Sequence, residues 1–77
     1  MVKRNIVLGN VANVQEFNRI CGHMDFDVDL AQGKYLVDAK SIMGIFSLDL
    51  SKPIDLNIHA ENDVDSILST LSPYIID

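Results

Sequence analysis

The sequence predicts an α+β domain: a four-stranded antiparallel sheet covered on one face by three helices, an open-faced β-sandwich. Three observations carry this. Segments of strict apolar–polar alternation are interspersed with segments whose apolar residues recur every three or four positions. Read in sequence, these segments give the order β-α-β-β-α-β-α. Finally, at 77 residues the chain is too short for three helices to shield both faces of such a sheet, so one face stays wet.

The first strand is expected over residues 2–8, with Val2, Arg4, Ile6 and Leu8 on one side, and Gly9-Asn10 breaks it. Asn13-Val14-Gln15-Glu16 has the pattern of a capping box, so a helix is expected to open at Asn13. Val14, Phe17, Cys21 and Met24 form its apolar stripe, and it ends near Gly22. Asp25-Phe26-Asp27-Val28-Asp29-Leu30 alternates without a fault, which turns Phe26, Val28 and Leu30 to the core and three aspartates to water.

Ala31-Gln32-Gly33 is expected to connect this strand to Lys34-Tyr35-Leu36-Val37-Asp38, whose core-facing pair would be Tyr35 and Val37. Ser41 opens a short helix. Ile54-Asp55-Leu56-Asn57-Ile58-His59 alternates again, after Ser51-Lys52-Pro53. Asn62 is expected to cap a last helix with Val64, Ile67, Leu68 and Leu71 as its buried stripe and Asp63 and Asp65 near its positive end. Pro73 lacks the N–H that would bond Ser69, so that helix should fray or kink there.

Composition narrows the function classes. A 77-residue chain is one domain, residues 1–77, with no room for a deep substrate cavity. A formal charge of −5 argues against a nucleic-acid partner, which needs a basic face, and against anionic lipid surfaces. Ile6-Val7-Leu8 is too short for a signal-peptide core and no apolar run is long enough to span a bilayer. With the single Cys21 unable to form an internal disulfide, a cytoplasmic protein is expected.

No metal or cofactor site is expected. Alternate residues on a strand stand roughly 7 Å apart, too far for Asp25, Asp27 and Asp29 to share one ion, and that triplet reads as a solvated face. His23 and His59 are unaccompanied by a second ligand pattern or by a nucleophile–base partner. Gly33 and Gly44 belong to no phosphate-cradling loop. Cys21 lies on the buried stripe near a helix C-terminus, where the dipole disfavours a thiolate. Nothing here reads as an enzyme.

The stretch Ala39-Lys40-Ser41-Ile42-Met43-Gly44-Ile45-Phe46-Ser47-Leu48, with Asp27-Val28-Asp29-Leu30 at constant spacing before it, resembles the regulatory-serine segment of Gram-positive HPr proteins. These are the small phosphocarriers of the bacterial sugar phosphotransferase system, and the order and lengths of the elements resemble the HPr fold along nearly the whole chain. That family carries a phosphorylated His-x-Arg-Pro before its first helix; the matching positions here are Asn10-Val11-Ala12-Asn13. Asn10 thus stands for the histidine, Ala12 for the arginine and Asn13 for the proline. An imidazole is nucleophilic near neutral pH and forms a labile N–P bond, whereas an asparagine amide is conjugated and is not a nucleophile.

The resemblance therefore implies a degenerate member, of the Crh type, that lacks the active-site histidine and keeps the regulatory serine. Ser41 stands where the family's ATP-dependent kinase acts, and on physical grounds it is equally a plain helix N-cap. Ile42, Met43 and Phe46, with Ile45 and Leu48, are more apolar side chains than a short surface helix can bury, and in the family the outer ones contact partners. The expected function is a regulatory protein-binding module of the carbon-catabolite kind, switched at Ser41. Its expected partners are HPr kinase, phosphotransferase components or a catabolite regulator. Two alternatives stay open: a working phosphocarrier with an unconventional acceptor, and an HPr-fold domain recruited outside sugar transport.

Overall fold

The computed structural model describes all 77 residues. Four strands, β1 (Val2–Ile6), β2 (Val28–Gln32), β3 (Tyr35–Asp38) and β4 (Ile54–Ile58), form one antiparallel sheet in the order β1-β4-β2-β3. Helices α1 (Val11–Gly22), α2 (Ile42–Phe46) and α3 (Val64–Leu71) follow the chain order β-α-β-β-α-β-α, and a 3₁₀ turn, Ser72–Tyr74, ends it. This is the expected α+β open-faced sandwich. No helix is long and apolar enough to cross a membrane.

Strand β4 is the spine. It pairs with β1 from Ile54↔Ile6 to Ile58↔Val2, and with β2 from Val28↔Ile58 to Ala31↔Asp55. Its alternation turns Ile54, Leu56 and Ile58 to the helices, where none retains exposed surface. Val14, Phe17 and Cys21 of α1 and Ile67 and Leu71 of α3 close over this row, together with Ile45 of α2. The Phe17 and Tyr74 rings pack with centroids 5.6 Å apart, tying α1 to the chain end. The residues left by Pro73 thus wind as 3₁₀ rather than fray, because Tyr74 is held in the core.

Several expectations are corrected. β1 stops at Ile6 rather than Leu8; Val2, Arg4 and Ile6 share one side of it as expected, opposite Ile58, Leu56 and Ile54, with the Arg4 side chain exposed. The Arg4 guanidinium donates to the adjacent Lys3 carbonyl at 2.8 Å. β2 begins at Val28, since Asp25-Phe26 bends after α1, and it runs on through Ala31 and Gln32. The hairpin turn is therefore Gly33-Lys34, with Gly33 at φ 59 as a type II′ turn needs at its first central position. Tyr35 is 60% exposed rather than core-facing, because it lies beyond the reach of the helices on the outermost strand, while Val37 is half-buried beneath α2.

The caps also differ. α1 starts at Val11 with Asn10 as its N-cap, so the Asn13–Glu16 capping box does not form. The Asn13 amide instead donates to the Leu8 carbonyl at 2.7 Å, and Glu16 is engaged by Arg19. At α3 the N-cap is Asp63, in the left-handed region at φ 59 and without a side-chain cap bond, not Asn62. Aspartate is among the few non-glycine residues that visit this region readily, which suits it to the abrupt entry.

Two outcomes are expected. Phe17→Ala should cost about 3–5 kcal/mol, read from the urea midpoint, because it empties a ring-sized volume at the centre of the core. Burial pushes the Cys21 thiol from 9.0 up to about 12. The folded state therefore holds its proton more tightly than the unfolded one. Stability from this group is complete below pH 9 and falls as pH rises toward 12. Alkylation of native protein at pH 8 should be negligible and become rapid in denaturant.

Candidate functional site

The amino ends of α1 and α2 are the positions to which the sequence draws attention. Gly9, at φ 83, turns the chain out of β1, and its N–H donates to the Leu50 carbonyl at 2.9 Å. That bond sets the mouth of α1 beside the loop that leaves α2. Asn10 is extended, and its Oδ1 accepts from the Asn13 backbone N–H at 2.8 Å. Its carbonyl accepts from Val14 N–H. Val11 and Ala12 follow, both exposed.

Ser41 caps α2 in the same manner. Its Oγ accepts from the Gly44 N–H at 3.3 Å, and its own N–H donates to the Asp38 carbonyl at 3.0 Å. Asp38 also takes the Lys40 N–H on Oδ1 at 2.8 Å, so residues 38–41 form a tight turn that leads from β3 into the helix. A methyl group at Gly44 would stand 3.2 Å from Val37 Cβ and 3.3 Å from Ser41 Oγ, so the absence of a side chain there is what lets α2 lie close on the sheet.

The apolar residues of α2 divide. Ile45 is fully buried, and Leu48, just past the helix, nearly so. Ile42 is half-buried against the core, whereas Met43 is 76% and Phe46 38% exposed. The two helices are locked side by side: the Asn18 amide donates to the Ala39 carbonyl at 3.1 Å and Lys40 Nζ to the Met24 carbonyl at 2.9 Å. With Gly9 bonded to Leu50, α1 and α2 therefore run antiparallel, and Asn10 and Ser41 sit toward opposite ends of one helical layer.

Neither histidine is near Asn10. His23 is the C-cap of α1, one helix length from the N-cap, about 18 Å for 12 residues. His59 follows β4 and lines, with His23, a shallow depression that also includes Asp25, Glu61 and Asp63. No cluster of histidine, cysteine or carboxylate side chains has the geometry to hold a metal. Charge on the outer face of α1 is self-compensated: Arg19 Nε donates to Glu16 Oε2 at 3.1 Å, which holds the Glu16 carboxyl below its ordinary value.

Sequence reasoning missed one arrangement. His59 is not unaccompanied: its Nε2 lies 2.7 Å from Asp29 Oδ2, while the Asn57 amide donates to Asp29 Oδ1, also at 2.7 Å. Asp29 is accordingly a half-buried acceptor and not part of a solvated triplet. The pairing follows from register, since Asp29 lies opposite Asn57 and diagonal to His59. The trio staples β2 to β4 across the open face.

Taken together, the fold and these caps define the class: an α+β open-faced sandwich with a polar-capped helix mouth on each of two adjoining helices. Among solved structures, the protein is similar to HPr-C-His from Thermoanaerobacter tengcongensis, with a TM-score of 0.77 and 22% identity over 94% of this chain and 89% of that one. It is equally similar to a phosphocarrier protein HPr from Bacillus anthracis str. Ames, with a TM-score of 0.77 and 22% identity over 97% and 96% of the two chains. No family model and no curated protein matches the sequence. The fold is thus that of the HPr phosphocarriers.

The Asn10 cap has a measurable worth. Asn10→Ala should lower stability by about 1 kcal/mol in urea unfolding, because the Asn13 N–H loses its partner, whereas Asn10→Asp should be neutral or stabilising.

Proposed function

We propose that the protein is an HPr-like regulatory binding module that does not transfer phosphate through a histidine. The observation that carries this reading is the mouth of α1. Asn10 occupies it with its side-chain oxygen engaged by Asn13, Ala12 offers no charge, and both imidazoles lie at the other end of the helix. The dipole of α1 supplies about half an elementary charge, too little to stand in for both an acceptor imidazole and an arginine. What remains is a surface suited to docking, and we assign the partner-contacting role to Ile42, Met43 and Phe46.

Ser41 is the proposed switch. Its hydroxyl is at the surface, beside the amides of the first turn of α2, and a phosphate there would add close to two negative charges without entering the core. The kinase and the docked regulator or phosphotransferase component are those expected of an HPr-like protein in the cytoplasm of a bacterium. The protein itself is then a ligand of enzymes rather than an enzyme. A carrier with an unconventional acceptor would have to use His59 or His23, which stand among carboxylates where an incoming phosphoryl group is repelled.

The test is a pair of incubations, one with enzyme I and phosphoenolpyruvate, the other with HPr kinase and ATP, each followed by peptide fragmentation mass spectrometry. The expected result is no adduct in the first and a single phosphate on Ser41 in the second, absent from Ser41→Ala. Acid-labile label on His23 or His59 overturns the proposal. Absence of both modification and binding to phosphotransferase proteins assigns the domain to a process outside sugar transport.

A further inference from the structure

We propose that the outer edge of β3 is a self-association surface, on which two copies pair antiparallel about Leu36 and join their sheets into one. The two edges of the sheet are treated differently. Outside β1 the chain end folds back: the Ile76 N–H donates to the Asn5 carbonyl at 2.9 Å, the Val7 N–H to the Tyr74 carbonyl at 3.0 Å, and Ile75 bridges Ile6. Outside β3 there is no strand, since β2 is its one neighbour in the sheet. β3 is a short edge of four residues that ends in Asp38, and no proline or bulge occurs within Tyr35–Asp38.

The hairpin fixes which groups the edge presents. Gln32 opposes Tyr35 and Leu30 opposes Val37 across a two-residue turn, so the backbone groups of Tyr35 and Val37 point to β2 and those of Leu36 point outward. Leu36 is 70% exposed and Tyr35 60%, two large apolar side chains beside an unpaired ladder.

The occupant is identified by the pattern of charge. Lys34-Tyr35-Leu36-Val37-Asp38 carries opposite charges at equal distance from its centre. An antiparallel copy centred on Leu36 therefore places Lys34 against Asp38 of the second copy, and Asp38 against its Lys34, while each Tyr35 meets a Val37. The two Leu36 residues exchange reciprocal N–H···O bonds at the two-fold axis, as an isologous contact requires. Leu36 and Asp38 lie on the open face, Tyr35 and Val37 on the helix face, and Lys34 in the turn that leads into the strand, so the strand rows match at once. The contact is short and each chain carries −5, which makes the dimer one that forms at high concentration.

Sedimentation equilibrium from about 0.01 to about 2 mM tests this, with exchange of the Leu36 amide followed by NMR over the same range. The weight-average mass should rise from 8.6 kDa toward twice that value, and Leu36 N–H exchange should slow in step while that of Val11 does not. Leu36→Lys sets two ammonium groups together on the axis and should weaken association at least tenfold. Lys34→Asp turns both attractive pairs repulsive and should weaken it about threefold or more. Both positions are exposed, so unchanged thermal midpoints are expected; should either variant fail to fold, the Leu36 exchange rate in the unaltered protein decides alone. A mass of 8.6 kDa at every concentration overturns the proposal. So does association that survives both substitutions, or a Leu36 amide protected only by the strand of a different protein.

Discussion

Strand β4 is hydrogen-bonded on both sides, and the three residues it turns inward, Ile54, Leu56 and Ile58, are wholly withdrawn from water. Each such burial contributes about 1.5–3 kcal/mol relative to exposure. A chain of this length buries only about 60% of its surface, so it has material for a core on one side of β4 and not on the other. The single-sided core follows, and with it the position of every helix. The open face stays in contact with water, and on it Asp29, Asn57 and His59 bond to one another across β2 and β4.

The same shortage of cover explains the surface of α2. One turn and a half of helix cannot hide Ile42, Met43, Ile45 and Phe46 together, so Ile45 enters the core, Ile42 rests on its rim and Met43 and Phe46 stay in water. Gly44 brings the helix down onto Val37, which orders the exposed pair on a fixed scaffold instead of a loop. The bonds from Asn18 and Lys40 extend that scaffold to α1. Side chains held on such a scaffold have less freedom to lose on any contact than they would on a loop.

Carrying phosphate and recognising a partner make different demands on such a layer. The first needs a nucleophile of suitable pKa and a cation to hold the product, both at one helix mouth; the second needs shape and a few polar anchors. At the mouth of α1 the helix is capped by the side-chain oxygen of Asn10, with His23 a full helix length away at the other end. The two helix mouths also differ in kind. At Asn10 the cap is an amide with no phosphorylatable group, while at Ser41 the capping atom is itself a hydroxyl, so a change at that atom alters the cap and the surface charge together.

Periodicity along the chain was enough to determine the element order, the strands around Val28–Leu30 and Ile54–Ile58, and Val14, Phe17 and Cys21 as the buried stripe of α1, whereas Met24, expected on that stripe, lies past the helix end and is half-buried. Those depend on which residues repeat at two or at three and four, a property each segment carries alone. The caps were not legible in that way. Asn10 and Asn13 are equally good caps, and the choice fell to Asn10 because Gly9 is anchored to Leu50 and Asn13 is claimed by Leu8. Tyr35 has the alternation of a core residue but lies on the outermost strand, which only the order β1-β4-β2-β3 decides. The Asp29–His59 pair spans 30 residues and exists through the register of β2 on β4. Local pattern sets what each segment becomes; which segments meet, and so which polar groups find partners, is settled by the sheet they share.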